Sequence, residues 1–384
     1  MKKYNFDDIA DRRNTNSLKW NVLDNELPMW VADMDFKVLP EIHDAIIKRT
    51  TINAFGYSEI PGEYYDSYIY WWKSHHDVTL KRENLVFVTG VISGLDTIFK
   101  YLLNDGDKVL MFSPNYNVFY SCLNNNRLIP VIYNFEYSNY SYSLDFSKIE
   151  QLIIDNKPKA FLLCNPHNPF GMIFDDEQIK GFINLCKKYN LLLISDEIHI
   201  DIKENIAKTV SVLKYHFYNN VIALLSPSKA FNLAGLQSAV IATYNNEIRD
   251  VLQSGVYKED VGEPNFFAVD ATIAAFKYGD EYNKQLNDYI SRNKKYLEEF
   301  VKKEIPTLHV INGNATYLMW IDISSVSNDS VVFTQQLRNK TGLYVSNGLQ
   351  YGENGKTFIR INVATSLENV KMCCEKLKAF VLGK

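Results

Sequence analysis

The sequence predicts an α/β fold: a large domain built on a mainly parallel sheet sandwiched by helices, plus a smaller α+β domain assembled from both chain ends. Three observations carry this expectation. Short, wholly or mostly apolar segments recur at 85–89, 108–112, 159–164, 191–194 and 221–225, and strands buried on both faces read as continuous apolar runs. Helical periodicity at 93–103 and 176–189 separates some of these runs, which is the rhythm of βαβ units. The length of 384 residues exceeds one module at roughly 150 residues per domain, yet no Gly/Ser/Pro-rich linker divides the chain, so its domains share segments or pack closely. The large domain is placed at 45–280 and the small one at 1–44 together with 281–384.

Taken in order, residues 5–25 are polar and irregular. The run 85–89 ends at Gly90, and a helix follows. The next runs are closed by Ser113-Pro114, by Asn165-Pro166, by Ser195-Asp196-Glu197 and by Ser226-Pro227-Ser228-Lys229. Residues 280–304 form a long charged helical pattern. Segments 309–311, 317–321 and 357–361 read as strands, and 367–381 as a closing helix.

Composition narrows the function. Apolar residues make up 46% and charged residues 22%, which is ordinary for a globular chain able to build a core. The charge sum, 41 − 45 = −4, gives no reason to expect a nucleic-acid partner. No apolar run approaches the roughly 18 residues of a membrane span, and Met1-Lys2-Lys3-Tyr4 is not followed by the apolar stretch of a secretory leader. Five cysteines without a C-x-x-C pair are expected as reduced thiols in a cytoplasmic protein. Cys373-Cys374 reads as two half-buried thiols on the last helix, and His75-His76 as surface.

Several motifs are set aside. Gly355-Lys356-Thr357 resembles the end of a Walker A loop, but Gln350 stands where its first glycine belongs. There is no G-x-G-x-x-G and no H-E-x-x-H. Asp196, Glu197, His199 and Asp201 lie in one short extended run whose alternate side chains face opposite ways, so no metal site is expected.

Ligands of open parallel sheets bind beyond the carboxyl ends of the strands, and the unusual residues cluster there. Gly90-Val91-Ile92-Ser93 is a turn into a helix, whose free amides and dipole suit a phosphate, although any β–α turn carries such a glycine. Tyr116 follows a proline-stiffened turn and can stack on a flat ring. Residues 165–171, N-P-H-N-P-F-G, make a rigid loop bearing amide side chains, or simply a well-made turn. Asp196 ends an apolar strand, where a carboxylate is costly without a cationic partner. Lys229 follows another such strand among hydroxyls, where its pKa can fall as a Schiff-base amine requires. A lone lysine is usually solvated; this ordered set of a phosphate cup, an aromatic, an asparagine, an aspartate and a lysine suits pyridoxal phosphate.

On these motifs the chain resembles the fold-type I pyridoxal-phosphate enzymes of the aminotransferase class I/II superfamily over nearly its whole length. N-P-H-N-P-F-G, S-D-E-I-H (195–199), S-P-S-K-A-F-N-L-A-G (226–235) and P-M-W-V-A-D-M-D-F (28–36) are similar to the cystathionine β-lyase, or C–S β-lyase, branch. Phe55-Gly56-Tyr57 and Phe358–Asn362 also fit. The resemblance implies that Lys229 holds the cofactor covalently and carries protons. It implies Asp196 on the ring nitrogen, Asn168 on the ring hydroxyl, and Tyr116 or its rival Tyr120 stacked on the ring. It places the phosphate on the amides of Val91 and Ile92 with Ser226 and Ser228. Arg360 is expected on the substrate carboxylate, Trp30, Asp33 and the 346–353 loop in the pocket wall, and Tyr57 in the site of a neighbouring subunit of a homodimer.

Two positions depart from the broader aminotransferase pattern, as that branch does: Gln237 replaces an arginine eight residues after the lysine, and His199 replaces a tyrosine three residues after the aspartate. The implied reaction is cleavage of cystathionine or another S-substituted cysteine to pyruvate, ammonia and a thiol. Transamination at the same site is the alternative, and an additional regulatory protein-binding role is a third.

Overall fold

The computed structural model describes residues 2–311 and 313–383. Its main sheet contains β1 (Leu85–Val88), β2 (Lys108–Ser113), β3 (Ile129–Asn134), β4 (Ala160–Cys164), β5 (Leu192–Asp196), β6 (Val221–Leu225) and β7 (Ala239–Ala242), in the spatial order β1-β7-β6-β5-β4-β2-β3. All run parallel except β7, which is antiparallel to both neighbours. Alternate side chains feed two cores. Phe87, Leu110, Phe161 and Leu193 enter one cluster, while Val88, Met111, Leu162 and Ile194 enter the other, because side chains alternate across a strand. The sheet is therefore covered on both faces, as its apolar runs require.

A second sheet is formed by β8 (His309–Ile311), β9 (Leu318–Asp322), β10 (Ser346–Asn347) and β11 (Phe358–Asn362), in the order β8-β9-β11-β10 and antiparallel throughout. Its core also takes in Leu27 and Met29, since Leu27–Pro28 pairs in parallel with Leu343–Tyr344. Residues near the start of the chain are thus packed against its last hundred.

The helix Asp176–Tyr189 falls where the periodicity placed it, and so does Asp280–Glu304. β3 and β7 were not expected. β3 lies at the sheet edge with Pro130 in it, a residue that argues against a strand except at an edge. β7 is only A-V-I-A, and its reversed direction comes from pairing rather than from local pattern. β5 runs two residues beyond its apolar run, to Asp196, because it lies between β4 and β6 and pairs with both to its end.

The surface expectation for the His75-His76 pair fails at His76. That side chain is buried and shares the Asp201 carboxylate with Trp71, at 2.8 Å from His76 Nε2 and 2.9 Å from Trp71 Nε1. All five cysteines are free and buried. Cys373 and Cys374 are both wholly covered, because the helix Leu367–Leu382 is packed by both Asp280–Glu304 and Ser330–Thr341. Among the described residues no helix is long and apolar enough to cross a membrane.

Candidate active site

A cavity of about 320 Å³ opens at the carboxyl ends of the parallel strands, and Thr89, Asn168, Asp196, Ser226 and Lys229 all face it. β1 delivers the helix Val91–Leu102. Its N-cap, Gly90, makes no side-chain cap, and the first helical bond is Gly94 N to Gly90 O (3.0 Å). The amides of Val91, Ile92 and Ser93 precede it and are left free at the cavity wall, as helix starts leave them. Ser226 and Ser228 add hydroxyls, linked Oγ to Oγ at 2.9 Å, and Ser226 Oγ donates to Ser238 O at 2.7 Å. Amides at a helix N-terminus beside hydroxyls suit an anion.

Asp196, also on the cavity wall, is buried. Its carboxylate accepts from Ile198 N at 3.0 Å, and burial pushes its pKa up to about 7, against the opposing pull of that amide and of Lys229. A carboxylate so placed asks for a cation. Lys229 Nζ donates to Ala32 O at 2.6 Å. Burial lowers its pKa, Asp33 and Asp196 act to raise it, and Arg360 to lower it. Burial, Lys229 and Arg360 together hold His199 well below the usual imidazole range, hence neutral.

The loop after β4 is fixed by Gly171 N to His167 O (2.7 Å) and Ala315 N to Gly171 O (3.0 Å). This presents Asn168 to Arg360, whose Nη1 donates to Asn168 Oδ1 at 3.2 Å and whose Nη2 donates to Trp30 O at 2.9 Å. Gly171 has φ +69°, and a Cβ there would lie 2.3 Å from Ala315 O. Gly171→Ala is therefore expected to destabilise the protein by about 2 kcal/mol or more, read by denaturant unfolding.

The structure brings together Val91, Ile92, Tyr116, Asn168, Asp196, His199, Ser226, Ser228 and Lys229 around one cavity, with Arg360 joined through Asn168. Tyr120 does not share the wall with Tyr116, because its hydroxyl is engaged by Ser113 Oγ (3.2 Å) and Tyr351 O (3.1 Å). Trp30 and Asp33 flank the cavity without lining it. Trp30 stacks on Tyr344, and Asp33 is bound by Arg12; Ala32, between them, is the residue at the wall. Tyr57 is 97% exposed and lies over a neighbouring depression with Phe55 and Gln237.

Sequence reasoning missed Ala32 O, Tyr317 and Ser93. Tyr317 OH also donates to Ala32 O, at 3.0 Å, and Ser93 lines the cavity beside Ile92. A backbone acceptor leaves no mark in a sequence. Ser93 did carry one, as the third residue of the helix start.

Fold and site define an α/β enzyme with a buried lysine and a buried carboxylate on the wall of one cavity. A family model, aminotransferase class I and II, matches residues 27–377. The chain belongs to that family, whose members are pyridoxal-phosphate enzymes. It is 30% identical over 383 residues to cystathionine β-lyase PatB of Bacillus subtilis, covering 98% of this chain and 99% of that one. The PLP-bound C–S lyase of Staphylococcus hominis complexed with L-cycloserine is similar at 31% identity and TM-score 0.93, over 99% and 98% of the two chains. A PLP-bound Clostridium difficile protein described as an aminotransferase matches at 30% identity and TM-score 0.95, over 99% and 100%.

The residues present fit that cofactor. The free amides and hydroxyls suit a phosphate, the raised Asp196 feels Lys229 but makes no ion pair among the described residues, and the buried His199 Nδ1 and Arg360 Nε have no partner among them. Buried polar atoms without partners call for an explanation, and beside this cavity a ligand supplies one.

Proposed function

We propose that this enzyme is a pyridoxal-phosphate-dependent C–S β-lyase acting on cystathionine, cystine or a related S-substituted cysteine. The observation that carries this reading is the placement of Gln237 and His199 on the cavity wall. These two positions depart from the aminotransferase pattern and agree with the lyase branch. The likeness to PatB and to the S. hominis C–S lyase supports it.

In this reading Arg360 grips the substrate carboxylate, since its planar fork suits that group. Asn168, already bonded to Arg360, steadies that guanidinium and would reach the cofactor's ring hydroxyl. Bound pyridoxal phosphate supplies an electron sink for the pair left at Cα. Asp196, buried on the cavity wall, would hold the cofactor's ring cationic and so keep that sink effective. Lys229 takes the Cα proton, with Ala32 O within 2.6 Å as its resting acceptor. The Cβ–S bond then breaks with its electron pair on sulfur, which leaves as a thiol after gaining a proton. Water completes the release of pyruvate and ammonia. Tyr57, almost wholly exposed in its own chain, serves the site of a second copy, so the working unit is a homodimer.

A coupled pyruvate assay tests the reaction. One pyruvate and one ammonia per S-substituted cysteine, without added keto acid, is the expected result. Turnover that requires a keto-acid acceptor contradicts it and identifies an aminotransferase. Arg360→Ala is expected to raise KM for the amino acid about 30- to 100-fold with a smaller change in kcat, the loss of one charge-assisted contact. An unchanged KM in steady-state kinetics assigns the carboxylate to another residue.

A further inference from the structure

Residues 30–36 form a strap along the cavity whose main chain holds both cations of the site. Trp30 O accepts from Arg360, and Ala32 O from Lys229. The strap is pinned from β11 by Asn362 Nδ2, which donates to Val31 O and Asp33 O at 2.6 Å each. Its two acidic side chains meet the irregular N-terminal segment. Arg12 Nη2 lies 2.7 Å from Asp33 Oδ2, and Lys19 Nζ lies 3.0 Å from Asp35 Oδ2 and 3.8 Å from Asp33 Oδ1.

The Lys19 side chain has no exposed surface at all. A wholly buried ammonium is costly unless paired, and removing one partner of such a cluster leaves an uncompensated charge. Two cations here face two carboxylates, so the strap as a whole presents no net charge to the reactive amine.

We propose that Lys19 is a positioning residue for Lys229: together with Arg12 it neutralises the Asp33–Asp35 pair, fixes the charge of the strap, and so sets the pH at which the Lys229 nitrogen loses its proton. The proposal rests on Lys229 carrying the cofactor. The Asp33 carboxylate already acts to raise Lys229, so the strap's charge reaches it. The other charged or titratable groups facing that amine are Asp196 at the end of β5, His199 just beyond it, Arg360 on β11, and Tyr317 through the shared Ala32 O. None of these changes in the variants below.

The sign is the test. Lys19→Met leaves the strap one charge more negative, which favours the protonated form of the cofactor-bound Lys229 nitrogen. Asp33→Asn leaves it one charge more positive, which disfavours it. Spectrophotometric pH titration of the cofactor-loaded protein reads this through the visible band of the lysine-bound cofactor. The expected result is a midpoint moved up by about one pH unit in K19M and down by about as much in D33N. The double variant, neutral again, should return near the wild type. If K19M fails to fold, the D33N shift still tests whether the strap's charge reaches Lys229, and its absence overturns the proposal. A strap that is merely loosened moves both single variants the same way or not at all, and either outcome overturns the proposal while the wild-type band still titrates. A wild type with no visible band overturns both the cofactor reading and this inference.

Discussion

Lys229→Ala is expected to lower turnover by about 10⁴-fold or more, since in the proposed mechanism this one side chain supplies both covalent attachment and proton transfer. The visible absorbance of the lysine-bound cofactor should vanish with it. The fold should survive, because Lys229 opens onto the cavity and its amine makes one hydrogen bond to Ala32 O. The check combines a visible spectrum, a pyruvate assay and a far-UV circular dichroism spectrum on the same preparation. Full turnover in the variant would remove Lys229 from the chemistry.

Asp196→Asn carries the second large effect, with opposite consequences for activity and stability. Turnover is expected to fall by about 10²- to 10³-fold, because an amide cannot balance a cationic ring. In the cofactor-free protein the same change should stabilise. Burial raises the Asp196 pKa from 3.8 to about 7, so the neutral carboxyl is the form the fold tolerates. Its contribution is complete below the unfolded pKa and is lost as pH rises through the folded one. Between roughly pH 4 and 7 wild-type stability falls by about 1.4 kcal/mol per pH unit from this group alone at most. Asparagine has no charge to bury. Thermal melts of the cofactor-free proteins near pH 5 and near pH 8 should therefore show the variant gaining on the wild type at the higher pH. Loading the cofactor should reverse the order, since a ring cation then pairs the carboxylate.

Much of this site was legible in the sequence because its chemistry conflicts with its surroundings. A carboxylate at the end of L-L-I-S-D and a lysine just past V-I-A-L-L stand out against apolar strands, and the cost of burying them makes them informative. The main sheet was legible for the same reason, since parallel strands announce themselves as unbroken apolar runs. β7 and β3 were not, because direction and edge position are set by which strands pair, and local pattern does not encode that. The P-M-W-V-A-D-M-D-F segment was legible as important, but the residue that reaches the cavity was not. Trp30 and Asp33 are its conspicuous side chains, yet the contact with Lys229 is made by the carbonyl of Ala32. Main-chain acceptors are common to every residue, so only the fold selects among them.

One lysine competes with Lys229 on physical grounds. Lys294 is buried among the carbonyls of Gly313 and Ala315, and burial lowers its pKa to about 8. It lies in the helix Asp280–Glu304, away from Asp196 and the free amides of the Val91–Leu102 helix. Borohydride reduction of the cofactor-loaded protein, followed by peptide mass spectrometry, separates the two. The account predicts the pyridoxyl mass on the peptide containing Lys229 and its absence from Lys294. A label on Lys294, or on no lysine facing Asp196, would contradict it.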